Sequence, residues 1–202
     1  MFSGAVIYLR EEGVTMTNAQ LPIVIRFFAG VNAATTNALQ TAIDQRLAAG
    51  AQKFTLLVSS PGGTVHHGLT AYNYLKGIPA ELTTHNCGSV DSIGVVLFCA
   101  GSRRLSVPHA RFLLHGVSAG FSQNERLEEK QLEERLKGLQ IDMLNIARVI
   151  ASTTGKAEQE VNQAMLDRTT LDPKEAKGWG LVHQIESALF PPGAEIIAIQ
   201  EQ

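Results

Sequence analysis

Cysteine is scarce in this chain, and clustered basic charge and long apolar runs are missing altogether. Cys87 and Cys99 are the only two cysteines. Both lie inside apolar stretches, and their spacing suits neither a disulfide framework nor a metal site, so buried thiols are expected. The 17 Lys and Arg are scattered against 19 Asp and Glu, for a net charge of -2, so no basic stripe offers a surface to nucleic acid or an anionic membrane. No run approaches the roughly 20 apolar residues of a membrane-spanning helix. The start, MFSGAVIYLREEGVTM, shows no basic leader, long apolar core or cleavage site. A soluble, cytoplasmic protein without nucleic-acid or membrane partners is the expectation. Metal is not expected either: His66 and His67 are adjacent, so on a helix they point about 100° apart, and no Cys, Asp or Glu completes a ligand set. No motif calls for a cofactor.

With 45% hydrophobic residues, the chain can bury the core of one domain. Ile23 to Phe28 reads as a buried strand, and Leu39, Ile43 and Leu47 mark a helix from Ala33 to Ala49 that Gly50 ends. Phe54 to Val58 is a second strand. It runs into Ser59-Ser60-Pro61-Gly62-Gly63 and a helix ending near Gly77. A third strand, Leu82 to Cys87, leads through Gly88 to Ser92 and a short buried helix, Ile93 to Ala100. Arg104 to Val107 and Arg111 to His115 look like a paired strand segment divided at Pro108, which cannot donate to a ladder. A linker, Gly116 to Gln123, precedes the longest helix, for which Ser122 and Glu125 have capping-box spacing. Leu132, Leu136, Leu139, Met143, Ile146 and Ile150 give that helix an apolar seam, to be buried in its own domain or against another subunit. Shorter helices around Glu158 to Met165 and Pro173 to Lys177 precede a strand, Leu181 to Ile185. Phe190 to Gly193 reads as a chain exit. Strands alternating with helices predict an α/β fold with a mostly parallel sheet. The expected organisation is a single domain over 1–202, with a core of about 23–185, an N-terminal segment 1–20 and a tail 190–202.

Ligands gather at the carboxyl ends of strands in such folds, and two turns lie there: Ser60 to Gly63 and Gly88 to Gly94. Paired glycines let backbone N–H groups approach a substrate oxygen. Ser92, between a strand and an apolar helix, follows the logic of a nucleophile elbow without the strict G-x-S-x-G string. A serine there is also a common helix cap, which is the plain structural alternative.

Read together, these segments resemble the Clp protease proteolytic subunit family from about Ile23 to Ile185. SSPGG is similar to its S-P-G-G turn, GSVDSIGVVLFCAG to its G-x-x-A-S-x-G segment, RFLLHG to its R-x-x-x-H strand and EAKGWGLVHQI to its E-A-x-x-Y-G-L-V-D-x-I element. The resemblance implies the fold shared with the crotonases, repeated β-β-α units wound as a spiral with a protruding handle helix. It also implies a serine endopeptidase in which Ser92 is the nucleophile, His115 the general base, and Gly63 and Ile93 the oxyanion-hole donors. For the acid, Asp167 matches the family's Asp-Arg pair with one inserted residue. The ungapped register instead sets Arg168 in that place, and Asp172 is a further candidate. A peptide or unfolded protein substrate and a homo-oligomeric ring are implied with it. The N-terminal region does not match the family's pore-gating part, which counts against dependence on an ATPase partner.

The chain departs from the family pattern elsewhere. Asp91 stands where the family has a small apolar residue, either perturbing the site or facing solvent, and Gly116 replaces the proline after the histidine, which is expected to loosen that segment. Two other readings are carried forward: a crotonase-like acyl-CoA-handling enzyme, which needs no Ser-His pair, and a ring subunit that has lost its acid.

Overall fold

The computed structural model describes residues 21–120 and 125–199; the N-terminal segment 1–20, the end of the predicted linker and the predicted cap Ser122 lie outside them. Strand β1 spans Ile23–Phe28, the predicted range, because its β-branched and aromatic side chains fit a pleated, two-sided core. Helix α1 (Ala33–Ala48) opens on Asn32, whose side chain accepts from the Thr35 N–H, and Gly50 follows its end at φ 89°. Strand β2 (Lys53–Ser60) lies parallel to β1, and helix α2 (Val65–Gly77) ends at the predicted glycine.

Strand β3 is longer than the sequence suggests, running Glu81–Asp91. Its register on β2 shifts between Val58 and Ser60, and a Cβ at Gly88 would stand 3.2 Å from Ser59 Oγ, so the bulge fits glycine. This bulge corrects one expectation. Strands β4 (Arg103–Ser106) and β5 (Arg111–Leu113) are not paired with each other; both run parallel to β3, β4 on residues 83–86 and β5 on residues 89–91. Buried Asn86 bridges the change of partner, donating to the Arg111 carbonyl and accepting from the Gly88 N–H, each at 2.9 Å. Between β3 and β4, helix α3 (Ile93–Phe98) is wholly buried, and Phe98 meets Phe112 edge to face at 5.0 Å.

Helix α4 (Glu129–Thr154) starts from a capping box at Glu128. Its seam divides. Ile146, Ala147, Ile150 and Ala151 are buried in the chain's own core, whereas Leu132, Leu136, Ile141 and Leu144 are exposed. Helix α5 (Glu158–Leu166), the short strand β6 (Thr170–Leu171), helix α6 (Pro173–Gly178) and strand β7 (Gln184–Ile185) follow. The predicted chain exit at Phe190 to Gly193 is not found. The chain turns at Gly193 (φ 83°), and β8 (Ile196–Ile199) pairs in parallel with β1. The main sheet runs β6-β5-β3-β2-β1-β8, with β4 branching from β3 and β7 pairing with β4, and every pairing except β5 with β6 is parallel. Among the described residues no helix is long and apolar enough to cross a membrane, and no cluster of His, Cys, Asp or Glu could hold a metal.

Beside β7, Arg104 is buried with no carboxylate partner among the described residues; its guanidinium donates to the carbonyls of Leu181, Gly101, Thr153 and Gly180. Its Nη2 and backbone N–H face the two ring nitrogens of His183 at 2.8 and 3.1 Å. A neutral imidazole has one lone pair to give these donors and an imidazolium none. Desolvation and the neighbouring charges of Arg104 and Arg103 accordingly hold the His183 pKa below 6.5; Glu186 and Gln184 are the other polar neighbours on this edge through their contacts with Arg103. Buried His85 is depressed as well, chiefly by desolvation. Both folded values lie below the unfolded one, so this stability is complete above about pH 6.5 and is lost as the pH falls through the folded values. The melting temperature is therefore expected to drop between pH 7 and 5. His183→Gln, which keeps an acceptor and cannot titrate, should flatten part of that slope; parallel curves for the two proteins would refute the assignment.

Candidate active site

The end of β3 delivers Ser92 into a strained positive-φ conformation, φ 58° and ψ -130°, immediately before α3. A non-glycine residue there costs of order 1–3 kcal/mol and persists only when its surroundings impose it. Two contacts impose it here. The Ser92 N–H donates to the Leu113 carbonyl at 2.8 Å, extending the β3–β5 ladder, and the Ser92 carbonyl accepts the Val95 N–H as α3 begins. The turn after β2 presses from the other side: a Cβ at Gly62 would lie 2.6 Å from Ser92 Cβ and 2.9 Å from the Asp91 carbonyl. Only glycine fits so close. Below, a Cβ at Gly68 would stand 2.2 Å from Ile93 Cγ1, so α2 seats Ile93 through a bare patch of backbone.

Gly62 and Gly63 take φ 88° and 148°. The Val31 N–H donates to the Gly62 carbonyl and the Thr64 N–H to the Val31 carbonyl, both at 2.8 Å. Gly63 sits between these bonds, and its own N–H has no acceptor among the described residues. Ile93 is the first residue of α3, so its N–H has no partner within the helix. Two amide donors are thus left open on the turns that meet at Ser92.

His115 lies two residues beyond Leu113, the acceptor of the Ser92 amide. Its Nδ1 is 2.7 Å from the Gly116 carbonyl, and a carbonyl can only accept, so Nδ1 carries the proton and the neutral ring keeps its lone pair on Nε2. No hydrogen bond joins that nitrogen to Ser92 Oγ among the described residues. The segment expected to be loosened by Gly116 is held at two points, because the Val117 N–H donates to Met143 Sδ at 3.1 Å.

Neither candidate acid contacts the imidazole. Asp167 is exposed at the end of α5, and its Oδ1 accepts from Gln163 Nε2 at 2.8 Å. Asp172 caps α6, accepting the N–H groups of Lys174 and Glu175. Antiparallel β5 and β6 match Phe112 with Leu171 and Leu113 with Thr170, and the Leu114 N–H donates to the Thr169 carbonyl; carried one residue further, that register faces His115 with Arg168, at φ 54°. Asp91 neither perturbs the serine as a free charge nor points into solvent. It is buried, paired with Arg111 at 2.8 Å and bonded by Ser89 Oγ at 2.8 Å. Burial pushes the Cys87 thiol up to about 11 and Cys99 to about 12, so neither is a thiolate nucleophile at neutral pH. Gly68, Asn86 and Met143 shape the site without any sequence signal for that role; Met143 in particular is read from sequence as one more seam residue.

A family model described as Clp protease matches residues 28–188. The ATP-dependent Clp protease proteolytic subunit 2 of Prochlorococcus marinus is 31% identical over 136 residues, 64% of this chain and 64% of that protein. The subunit 2 of Corynebacterium diphtheriae is 30% identical over 140 residues, 68% of each. The chain thus spans about two thirds of the length of these relatives. A solved structure of a ClpP1 mutant from Listeria monocytogenes superposes with a TM-score of 0.74 over 82% of this chain and 91% of that one, at 21% identity, a likeness of fold.

Proposed function

The chain belongs to the Clp protease family, and on that premise we propose that it is a serine-type endopeptidase acting on peptides or unfolded protein. The observation that carries this reading is the strained backbone of Ser92, wedged against Gly62 with the amides of Gly63 and Ile93 open on either side. Ser92 Oγ attacks the substrate carbonyl while His115 Nε2 takes its proton. The N–H groups of Gly63 and Ile93 receive the oxyanion, and the imidazolium then returns the proton to the leaving amine. Asp167 is the family's counterpart for the acid. With its carboxylate on Gln163, we assign the orienting role to the Gly116 carbonyl, which receives the Nδ1 proton. The exposed apolar stretch of α4, Leu132 to Leu144, supports burial against further copies of the chain in a homo-oligomeric assembly.

The lack of a carboxylate on His115 among the described residues is also the one observation favouring the second reading, a ring subunit without catalysis. A fluorophosphonate probe separates them, because it phosphonylates only an activated serine. Labelling is expected on Ser92 by peptide mapping, and in Asp167→Asn at a rate within about threefold of the wild type, since a general base already oriented by a carbonyl loses little. Absence of label in the assembled protein would leave the second reading. A loss of about 10⁴-fold in Asp167→Asn would return the orienting role to that carboxylate.

A further inference from the structure

Resting on the reading that Ser92 and His115 form the hydrolytic pair, we infer that Met143 is a positioning residue for His115, acting through the peptide unit that joins Gly116 to Val117. The two ends of that unit are held by different partners. Its carbonyl oxygen accepts the His115 Nδ1 proton at 2.7 Å, and its N–H donates to Met143 Sδ at 3.1 Å. A peptide unit is planar and its C=O and N–H point in opposite directions, so fixing one fixes the other. The thioether therefore sets the direction of the carbonyl, the carbonyl selects the Nδ1–H tautomer, and that tautomer leaves the Nε2 lone pair available to Ser92.

Val117 packs against the core at one end of this plane, whereas the other end has no such anchor. Gly116 has no side chain to anchor it, and glycine leaves the dihedral before the carbonyl nearly free. Met143 also packs on that glycine: a Cβ there would stand 3.6 Å from Sδ and 3.7 Å from Cε. The neighbouring turn of α4, with Ile146 and Ala147, is buried in the core, so the sulfur is carried on a fixed element. A thioether is a weak acceptor on an adaptable side chain, which suits it to holding an amide while still filling apolar space.

Met143→Leu keeps the volume and removes the acceptor, and Met143→Gln offers a carbonyl oxygen at similar reach. The tautomer of His115 is read directly from the ¹⁵N spectrum of the imidazole in the assembled protein. The Nδ1–H form is expected in the wild type and a mixture of tautomers in Met143→Leu. The kcat for a peptide should fall about tenfold in Met143→Leu, the scale of a slightly misplaced base, with KM within about twofold. Met143→Gln should restore both readouts. A wild-type tautomer in Met143→Leu would overturn the inference, and so would a Met143→Gln protein that behaves like Met143→Leu, because size and packing would then be what matters. The spectrum needs no turnover, so failure of the peptidase reading would show as absent hydrolysis with the tautomer result intact.

Discussion

Ser92→Ala should lower peptide hydrolysis by on the order of 10⁶-fold and abolish fluorophosphonate labelling while the protein still folds and assembles. The kinetic half follows from the chemistry: without Oγ there is no acyl intermediate, and what remains is water attacking a carbonyl polarised by two amides. The stability half follows from the surroundings of the side chain. Ser92 Oγ makes no hydrogen bond among the described residues, and the backbone already carries a Cβ at φ 58°, so alanine adds no strain that serine does not have. The melting temperature should therefore move by no more than an exposed substitution moves it, about 0.5 kcal/mol in free energy. Assays of a fluorogenic peptide and a thermal melt on the same preparation decide the matter. A variant that keeps a tenth of the wild-type rate would place the nucleophile elsewhere.

Legibility from sequence followed the range of the physics involved. Local periodicity and capping are written in neighbouring residues, which is why β1, α1 and α2 lie where the apolar spacing and the glycines put them. Strand partnership is not local. Arg104 to Val107 and Arg111 to His115 look like a hairpin around Pro108, yet the length and bulge of β3 let both lie along its edge, and the Asn86 amide satisfies the backbone where they part. The tail shows the same limit, since nothing in Pro191-Pro192-Gly193 announces that Ile196 to Ile199 will complete the sheet beside β1.

The site divides in the same way. The glycine turn and the serine could be read because their chemistry demands particular residue types at strand ends. The surroundings of His115 could not, because they depend on a register between β5 and β6 and on which nitrogen faces a main-chain carbonyl. Motif matching with a gap assigns the acid to Asp167, whereas the β5–β6 register, carried one residue past its last bond, sets Arg168 opposite the histidine. Arginine cannot accept a hydrogen bond from the ring N–H, and the carbonyl of Gly116 is the group that does so. Asp91, which the sequence leaves between perturbing the site and facing solvent, is balanced by Arg111 on the adjoining strand, two residues from its register partner Leu113.

Gly63→Ala should cost about 10²- to 10³-fold in kcat, the scale of losing one oxyanion donor, and should slow fluorophosphonate labelling in proportion. A Cβ at this position would lie 2.3 Å from the Val31 carbonyl oxygen and 3.0 Å from the carbonyl carbon and amide nitrogen of Val31. Those are main-chain atoms, so no side chain can swing aside. The carbonyl it strikes also receives the Thr64 N–H, and the preceding bond from the Val31 N–H to the Gly62 carbonyl closes the same bridge. The bridge must open, which carries the Gly63 N–H away from the place where the oxyanion forms. Strain at φ 148° adds a penalty of its own, and Gly50→Ala separates the two effects. Gly50 has φ 89°, but a Cβ there would meet nothing within 4 Å, so alanine should cost about 1 kcal/mol of stability and leave kcat unchanged. If Gly63→Ala kept the wild-type kcat, the amide of Gly63 would have no part in stabilising the transition state, and the oxyanion would have to be held by Ile93 alone.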